Sequence, residues 1–362
     1  MSNKISEMLE RLCTEGVGYI KLGELAEIST GQQLNRQDMR FMGEYPVMNG
    51  GTLPSGYTDN FNEKEMTITV SQGGASAGFV NWTTSKFWLG AHCYAIHPKQ
   101  KSITNRFLYF ILKSKEEYIM SKKQGAGIPG LNRAELQKIE IPVPPSEVQE
   151  EIVKILDRFT EYGRLLEEEL KCRKKQYEYY REKLLSFEGD KEVEWKKISK
   201  FCKVLRGRRL TKDKLSETGT FPVYHGGLDP LGFYEEANRR ENTVMVINVG
   251  ASAGTVGYSD VEFWSSDGCF CLEHNEDFNP KFLYYYLRSH QNKLTSKVRY
   301  AGIPTLDSDV ICNFPIPIIS LQEQERIVAI LDNFEGVGTE IEREIAERKK
   351  QYEYYREELL KF

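Results

Sequence analysis

The sequence predicts a mixed α/β (α+β) protein in which two similar globular domains are separated by two long antiparallel coiled-coil helices. A nine-residue segment, Lys-Lys-Gln-Tyr-Glu-Tyr-Tyr-Arg-Glu, occurs at 174–182 and again, unchanged, at 349–357. Residues 125–187 also align with 300–362 without a gap. A repeat of this length exceeds the roughly 20–50 residues of a solenoid unit. It therefore predicts a pseudo-twofold internal repeat, each copy being a globular domain plus a helix.

The duplication continues into the globular part of each half. Gly-Ala-Ser-Ala-Gly occurs at 74–78 and 250–254, and Phe-Trp occurs at 87–88 and 263–264. The two halves are more alike in the helical segments than in the globular ones. We therefore expect the helices to do the same job twice, whereas the globular domains share a framework and recognise different things.

The repeat divides the 362 residues into five predicted segments. In order, these are an N-terminal helix at 1–15, a globular domain at 16–145, a central spacer helix at 146–187, a second globular domain at 188–319 and a C-terminal spacer helix at 320–362. A hydrophobic content of 40% and an aromatic content of 12% suffice for a core in each globular domain.

Composition also bounds the class of protein. The apolar runs are far shorter than the about 20 residues that span a bilayer, and residues 1–15 lack the apolar core of a signal peptide. The seven cysteines are odd in number and show no metal-ligand spacing, which predicts free thiols in a reducing cytoplasm. The net charge of −4 counts against a protein that binds nucleic acid mainly through phosphates.

The two spacer segments carry apolar residues at steps of mostly three and four, from Val148 in the first copy and Ile327 in the second. This spacing is typical of a coiled-coil seam. Ser146, after two prolines, and Ser320 are the predicted start signals. Each helix of about 40 residues would be roughly 60 Å long. Pairing the two helices antiparallel buries both seams.

The tyrosines of the nine-residue repeat allow two interpretations. Their rings pack within the helix pair, or they form a second face that binds a partner protein, since tyrosines are enriched at interfaces. The candidate partner-binding residues are Tyr177, Tyr180, Tyr352 and Tyr355.

Each globular domain is predicted to combine short strands with one amphipathic helix. Each of these elements is predicted once in each half. The strands lie at 67–70 and 243–248, the helices at 105–123 and 280–298, and the exit strands into the long helices at 139–144 and 314–317. The Gly-Ala-Ser-Ala-Gly loops follow the first of these strands directly. They lack the Gly-Lys-Ser/Thr ending of a nucleotide-binding loop, so we interpret them as tight structural turns or as places where the backbone approaches a DNA strand.

Basic and polar side chains cluster at equivalent places in both halves. Arginine, glutamine and asparagine suit base edges in the DNA major groove, although such clusters also occur on ordinary solvated surfaces. The DNA-binding candidates are Gln32, Arg36, Arg40, Lys122, Lys123, Gln124, Arg206, Arg208, Arg209, Lys297, Arg299 and Tyr300.

Three motifs recur in the same order in both halves. They are Gly-Ile-Pro-x-Leu at 127–131 and 302–306, Ile-Pro at 141–142 and 316–317, and Gln-Glu-x-Ile-Val-x-Ile-Leu-Asp at 149–157 and 324–332. This duplicated order resembles the specificity subunits of Type I restriction-modification systems, over essentially the whole chain. The second copy departs in having Ile318-Ile319 where the first has Val143-Pro144.

The resemblance implies a cytoplasmic, prokaryotic DNA-binding subunit. Each globular domain would be a target recognition domain for one half of an asymmetric bipartite sequence in double-stranded DNA. The helices would set the spacer between the half-sites and dock two methyltransferase (modification) subunits, and restriction subunits would join through that complex. No cofactor is expected on this chain, because S-adenosylmethionine, and ATP and Mg²⁺ for restriction, would bind the partner subunits. Metal and membrane binding are not expected.

Two other functions compete with this one. A self-contained methyltransferase or nuclease is disfavoured, because the sequence lacks the Asn/Asp-Pro-Pro-Tyr/Phe loop of adenine methyltransferases and a Gly-x-Gly loop for S-adenosylmethionine. An interaction scaffold with two binding modules and no DNA role is favoured by the acidic last helix, where residues 320–362 hold 11 acidic and 7 basic side chains.

Overall fold

The computed structural model describes residues 2–125, 127, 129–187, 189, 193–274 and 278–362. Ile128 and Glu188, which belong to the predicted motif and domain boundary, lie outside the described residues. The chain forms two compact units. The first unit is Met1–Glu167 with Glu344–Phe362, and the second is Glu168–Arg343.

The described part of the first unit contains an N-terminal helix, a larger and a smaller sheet, a strand pair, and helices that cover the larger sheet. Its elements are α1 (Ser2–Leu12), β1 (Tyr19–Lys21), α2 (Leu22–Leu25), β2 (Ala26–Thr30), β3 (Tyr45–Met48), β4 (Tyr57–Thr58), β5 (Thr67–Ser71), β6 (Val80–Thr83), β7 (Trp88–Leu89), β8 (Cys93–Pro98), α3 (Asn105–Ser114), α4 (Glu116–Ser121), α5 (Arg133–Gln137) and β9 (Glu140–Pro142). Strand β5 is rich in β-branched residues and wholly buried, as the pattern at 67–70 predicts.

Among the described residues of the first unit, the larger sheet is antiparallel with strand order β2-β8-β5-β6. The smaller sheet has the order β4-β3-β7, with β3 and β7 parallel. Strand β9 pairs antiparallel with β1, which confirms the predicted exit strand. The core lies between the larger sheet and α3, where Phe107, Phe110 and Ile111 are buried with Ile68 and Ile96.

The second unit repeats this plan. Its elements are β10 (Glu194–Lys197), β11 (Cys202–Arg206), β12 (Phe221–Tyr224), β13 (Gly232–Tyr234), β14 (Thr243–Ile247), β15 (Val256–Ser259), β16 (Trp264–Ser265), β17 (Cys269–His274), α7 (Pro280–Ser289), α8 (Gln291–Thr295), α9 (Ser308–Cys312) and β18 (Pro315–Ile318). The larger sheet has the order β11-β17-β14-β15, the smaller one β13-β12-β16, and β10 pairs with β18.

The helices predicted at 105–123 and 280–298 are each broken, which corrects the prediction of one continuous helix. The backbone leaves the helical region at Lys115 and His290, where ψ is 10° and 16°. The break turns the next side chain toward the sheet. Glu116 accepts a hydrogen bond from the backbone N–H of Val80 at 2.7 Å, and Gln291 accepts one from Val256 at 2.8 Å.

The two long helices are α6 (Ser146–Leu185) and α10 (Leu321–Leu359). Both predicted start signals are confirmed, since α6 begins at Ser146 and α10 directly after Ser320, whose hydroxyl accepts from the Glu323 N–H. The helices pair antiparallel in each unit. In the first, Phe159 stacks on Tyr355 at 5.3 Å and the Tyr162 hydroxyl donates to Glu344 at 2.9 Å.

In the second unit, Lys174 forms an ion pair with Glu342 and the ring of Tyr180 stacks on Phe334. As residue numbers rise along α6, they fall along the facing part of α10. The predicted antiparallel pairing is therefore confirmed within each unit.

All seven cysteines are free thiols. Burial raises the pKa of Cys93 and of Cys202 to about 12, so both stay protonated near neutral pH. Among the described residues, the helices are too short or too polar to cross a bilayer.

Candidate nucleic-acid interface

One end of the larger sheet gathers the loops that the sequence analysis selected. In the first unit β2 ends at Thr30, which pairs with Tyr94, and β5 ends at Ser71, which pairs with Cys93. The loops that leave β2 and β5 and the loop that enters β8 therefore meet at one edge. We call this edge, with residues 31–34, 72–79, 90–92 and the described part of 124–131, the sheet-end surface.

The Gly-Ala-Ser-Ala-Gly and Gly-Ile-Pro-x-Leu motifs bind one another on this surface. The Gly74 N–H donates to the Pro129 carbonyl at 2.8 Å, and the Leu131 N–H donates to the Gln72 carbonyl at 2.7 Å. Leu131 is buried, and its carbonyl accepts from the buried Tyr94 hydroxyl at 3.0 Å. Burial is the main reason that the pKa of Tyr94 is raised.

The second unit makes the same contacts around its own sheet-end surface, formed by residues 207–210, 248–255, 266–268 and 299–306. The Gly250 N–H donates to Pro304 at 2.9 Å, and the Leu306 N–H donates to Asn248 at 2.9 Å. These two motifs therefore hold the loops together in both units.

The last glycine of each Gly-Ala-Ser-Ala-Gly loop has no room for a side chain. Gly78 and Gly254 have φ values of 95° and 87°, and a Cβ added to them would lie 2.8 Å and 3.0 Å from the Cα atoms of Met120 and Thr295. The last glycine of each loop therefore forms a tight structural turn, as one of the two interpretations predicts, and the approach of the loop backbone to DNA stays a prediction.

The structure brings part of the first-unit DNA-binding candidates to the sheet-end surface. Gln32 follows β2, Lys123 donates to the Ala75 carbonyl at 3.3 Å, and Gln124 pairs with Gly130 through both backbone groups. Arg40 instead lies beside β4 of the smaller sheet, in an ion pair with Asp59.

Two further first-unit candidates lie away from the paired loop backbones. Arg36 opens a short 3-10 helix at Arg36–Asp38, and Lys122 stands 4.5 Å from the centre of the Tyr118 ring. Their assignment as DNA contacts stays a prediction, as it does for the other candidates.

The second-unit candidates lie at the end of β11 and beside the Gly-Ile-Pro-x-Leu motif. Arg206 Nε donates to the Asp267 carbonyl at 3.4 Å, and Arg208 and Arg209 follow it at the end of β11. Arg299 pairs with Thr305 through the backbone and with Asp307 through its guanidinium at 2.6 Å. Lys297 and Tyr300 flank Arg299 and are exposed.

Sequence reasoning missed several residues of these surfaces. The indole N–H of Trp88 donates to the Gln32 carbonyl at 3.1 Å, and that of Trp264 donates to the Arg208 carbonyl at 2.8 Å. The recurring Phe-Trp pair was the signal for this role. His225, whose Nδ1 lies 3.4 Å from an Asp267 carboxylate oxygen, had no sequence signal.

Comparison with known proteins decides the family. The chain matches the Type I restriction modification DNA specificity domain twice, over residues 14–172 and 190–349. It belongs to this family.

Similar proteins share most of the length. A type I restriction enzyme specificity subunit of Haemophilus influenzae is 30% identical over 96% of both chains. A type I specificity subunit of Escherichia coli is 29% identical over 96% of this chain and 94% of its own. The crystal structure of an S subunit from M. genitalium has the same fold, with a TM-score of 0.77, 23% identity and 96% of each chain covered.

The family's Gln-Glu-x-Ile-Val-x-Ile-Leu-Asp motif attaches each specificity domain to its long helix. Gln149 is buried, and its amide accepts from the Thr104 N–H at 2.9 Å and donates to the Ser102 and Pro144 carbonyls at 2.8 Å each. Asp157, at the end of the motif, forms an ion pair with Arg106 of α3 at 2.6 Å.

The second copy of the motif makes matching contacts. Gln324 accepts from the Asn279 N–H at 2.8 Å and donates to the Ile319 carbonyl at 3.0 Å. Asp332 binds Lys281 of α7 at 2.9 Å. The motif is therefore a joint between domain and helix, and none of these contacts involves a residue of the sheet-end surfaces.

A tyrosine–carboxylate cluster strengthens this joint in the second specificity domain. The Tyr285 hydroxyl lies 2.6 Å from Asp332 and 3.0 Å from Glu335, and Glu335 also accepts from Tyr177 and Arg288. Burial and the facing carboxylates raise the pKa of Tyr285 and of Tyr177, which keeps both phenols protonated as donors.

The four tyrosines named as partner-binding candidates take part in packing inside this chain, as the first interpretation predicts. Tyr355 and Tyr180 stack on the facing helix, Tyr177 donates to Glu335, and Tyr352 packs against the core of the first unit. Their role toward a partner stays a prediction. The most exposed rings of the repeat are Tyr179 and Tyr354, at 59% and 62%, whereas Tyr180 is exposed at 39%.

Proposed function

We propose that this chain is the non-catalytic DNA-recognition subunit of a Type I restriction-modification complex in the cytoplasm of a prokaryotic cell. The observation that carries the proposal is the duplicated specificity domain, with one copy in each unit. Each domain reads one half of a bipartite site in double-stranded DNA. The long helices fix the spacing between the half-sites and hold two modification subunits.

The difference between the two domains supports an asymmetric target. Both sheet-end surfaces have the same backbone contacts, yet they present Gln32, Lys123 and Gln124 in one case and Arg208 and Arg299 in the other. Base edges are distinguished by the donors and acceptors that a side chain offers. One framework with different side chains thus suits two different half-sites.

The overall charge of −4 is compatible with a subunit that shares DNA binding with partners. Phosphate contacts supply most of the non-specific affinity for DNA and need many basic side chains. In our proposal the modification subunits supply much of that charge, together with S-adenosylmethionine and the methyl transfer. Restriction subunits bring ATP and Mg²⁺.

We expect the purified chain to transfer no methyl group and to bind its target only weakly and with little selectivity. With its cognate modification subunits, the same chain should direct methylation to one asymmetric two-part sequence. The measurement is methyl transfer from S-adenosylmethionine to a pool of random duplexes, followed by sequencing of the methylated molecules.

Each alternative has its own result in that assay. Methyl transfer by the chain alone would identify an enzyme, and tight selective binding by the chain alone would remove the need for shared phosphate contacts. A complex that assembles but methylates without sequence preference would favour the interaction scaffold.

The repeat also suggests where the modification subunits bind. Tyr179 and Tyr354 occupy the same position in the two copies, and each lies edge-on against the next ring, at 5.2 Å from Tyr180 and 5.4 Å from Tyr355. Exposed aromatic rings that pack against a neighbouring ring are typical interface anchors. Two like surfaces suit two copies of one partner.

We expect Tyr179→Ala and Tyr354→Ala each to remove one modification subunit, so that a complex with two such subunits becomes one with a single subunit. The double variant should bind neither, because loss of an anchor at an interface costs about 2 kcal/mol or more per site. Native mass spectrometry gives the stoichiometry. Leu165→Ala, an exposed apolar residue of α6 outside the repeat, is the matched control. A double variant that keeps two subunits would place the docking surface elsewhere.

A further inference from the structure

In each larger sheet a glycine and then a polar residue follow the first strand, Gly31 and Gln32 after β2 and Gly207 and Arg208 after β11. The backbone of the polar residue is held in the same way in both units. The Gln32 N–H donates to the Leu89 carbonyl at 2.9 Å, and the Trp88 indole donates to the Gln32 carbonyl at 3.1 Å. Arg208 receives the same two contacts, from the Ser265 carbonyl at 2.8 Å and the Trp264 indole at 2.8 Å. Both backbone groups of this residue are therefore fixed.

The preceding glycine fixes the position from the other side. A Cβ at Gly31 would overlap the Leu89 carbonyl oxygen, and one at Gly207 would overlap that of Ser266. Their N–H groups donate to Cys93 and Cys269, at the start of the neighbouring strand. The backbone therefore lies directly against the sheet at Gly31 and Gly207, the residues before Gln32 and Arg208.

The anchored side chains, in contrast, are exposed. Among the described residues, neither the Gln32 amide nor the Arg208 guanidinium has a hydrogen bond or an ion pair, and both residues belong to a sheet-end surface. A rigid backbone that carries an exposed polar side chain loses little conformational entropy on binding a ligand. The same framework therefore presents a glutamine in one domain and an arginine in the other.

We infer that Gln32 and Arg208 are the same base-reading position of the two recognition domains, with Gln32 taking an adenine and Arg208 a guanine. A glutamine amide offers one donor and one acceptor, which match N7 and the N6 amino group of adenine. A guanidinium offers parallel donors, which match O6 and N7 of guanine. This inference rests on the proposed function, since it assigns chemistry to surfaces taken to face DNA.

The equivalent position in the first domain separates this assignment from a simple phosphate contact. The Gln32 side chain carries no charge for a phosphate in the first domain.

The test exchanges the two side chains in the full chain assembled with its modification subunits. In Gln32→Arg, one base position of one half-site should change its preference from adenine to guanine by about 5- to 150-fold, since a bidentate pair discriminates by about 1–3 kcal/mol. In Arg208→Gln, one position of the other half-site should change from guanine to adenine. The remaining bases should keep their preference in both variants. The measurement is methylation of a randomised duplex pool, read by sequencing.

Gln37→Arg adds the same charge to the same exposed loop without the anchored backbone, and it should leave every base preference unchanged. Unaltered preferences in both exchanged variants, with a selective wild type, would overturn the inference. So would an Arg208→Gln variant that loses methylation equally on all sequences and has a smaller salt dependence, the signature of a phosphate contact. A wild-type complex without sequence preference would instead refute the proposed function.

Discussion

Replacing Gln149 by alanine should lower the free energy of unfolding of the first unit by about 3–5 kcal/mol, because each buried backbone group left without a partner costs about 1–3 kcal/mol. The side chain bonds three backbone groups, the Pro144 carbonyl in a buried hydrogen bond and the Thr104 N–H and the Ser102 carbonyl in part-buried ones. The expected loss therefore lies in the lower half of the roughly 3–9 kcal/mol for three buried groups. Gln149 is fully buried at the point where α6 leaves the domain, so water cannot replace it without opening the joint.

Glu150→Ala is the matched control, since its side chain is exposed one residue further along the same helix. A change of a few tenths of a kcal/mol is expected there. Because a chain of two units need not unfold in one step, the measurement is amide hydrogen exchange read by mass spectrometry. Faster exchange in peptides covering 102–110 and 144–156, without change in the second unit, is the expected result. Equal exchange in Gln149→Ala and Glu150→Ala would show that the glutamine is not a joint.

Local signals explain which parts of the fold the sequence predicts. Helix α6 begins at Ser146 directly after two prolines, and α10 begins directly after Ser320, whose hydroxyl caps it by accepting from the Glu323 N–H. The buried strands β5 and β14 are runs of β-branched and apolar residues, which fit a strand covered on both faces. Such features need no knowledge of the rest of the chain.

Contacts between distant residues explain what the sequence does not predict. The helix breaks at Lys115 and His290 allow Glu116 and Gln291 to reach strands more than 30 residues earlier. The smaller sheets consist of strands of two to four residues, too short to show a period of two. Neither feature leaves a pattern within a window of the sequence.

The candidate site likewise has features that the sequence predicts and features that it does not. The repeated glycine motifs marked the loops correctly, because a tight turn needs glycine whatever surrounds it. The anchoring of Gln32 and Arg208 depends on Trp88 and Trp264, which are 56 residues later, so the sequence could mark the Phe-Trp pair as repeated without assigning its role. The repeated tyrosines show the opposite limit. Their identical segments do not tell which rings pack against the facing long helix and which rings are exposed.

The glycines at 31 and 207 provide the test of the anchored backbone itself. Gly31→Ala forces the chain away from the Leu89 carbonyl, and the loop that carries Gln32 must move with it. A displacement of about 1 Å in a positioned group costs about 10²-fold in rate. Methylation of the target sequence should therefore fall by about 10- to 100-fold, because the first domain reads its half-site less well. Gly207→Ala should do the same through the second half-site.

Gly73→Ala and Gly227→Ala separate this effect from that of any added methyl group on a glycine of the same two domains. A Cβ at either glycine meets open space, and neither residue has a positive φ, so both variants should methylate within about twofold of the wild type. The thermal unfolding midpoints of all four variants should differ by only a few degrees, because a loop displacement costs about 1 kcal/mol. If Gly31→Ala and Gly73→Ala methylate equally well, the contact of Gly31 with the sheet is not what positions the reading side chain. The anchored arrangement would then be a feature of folding alone.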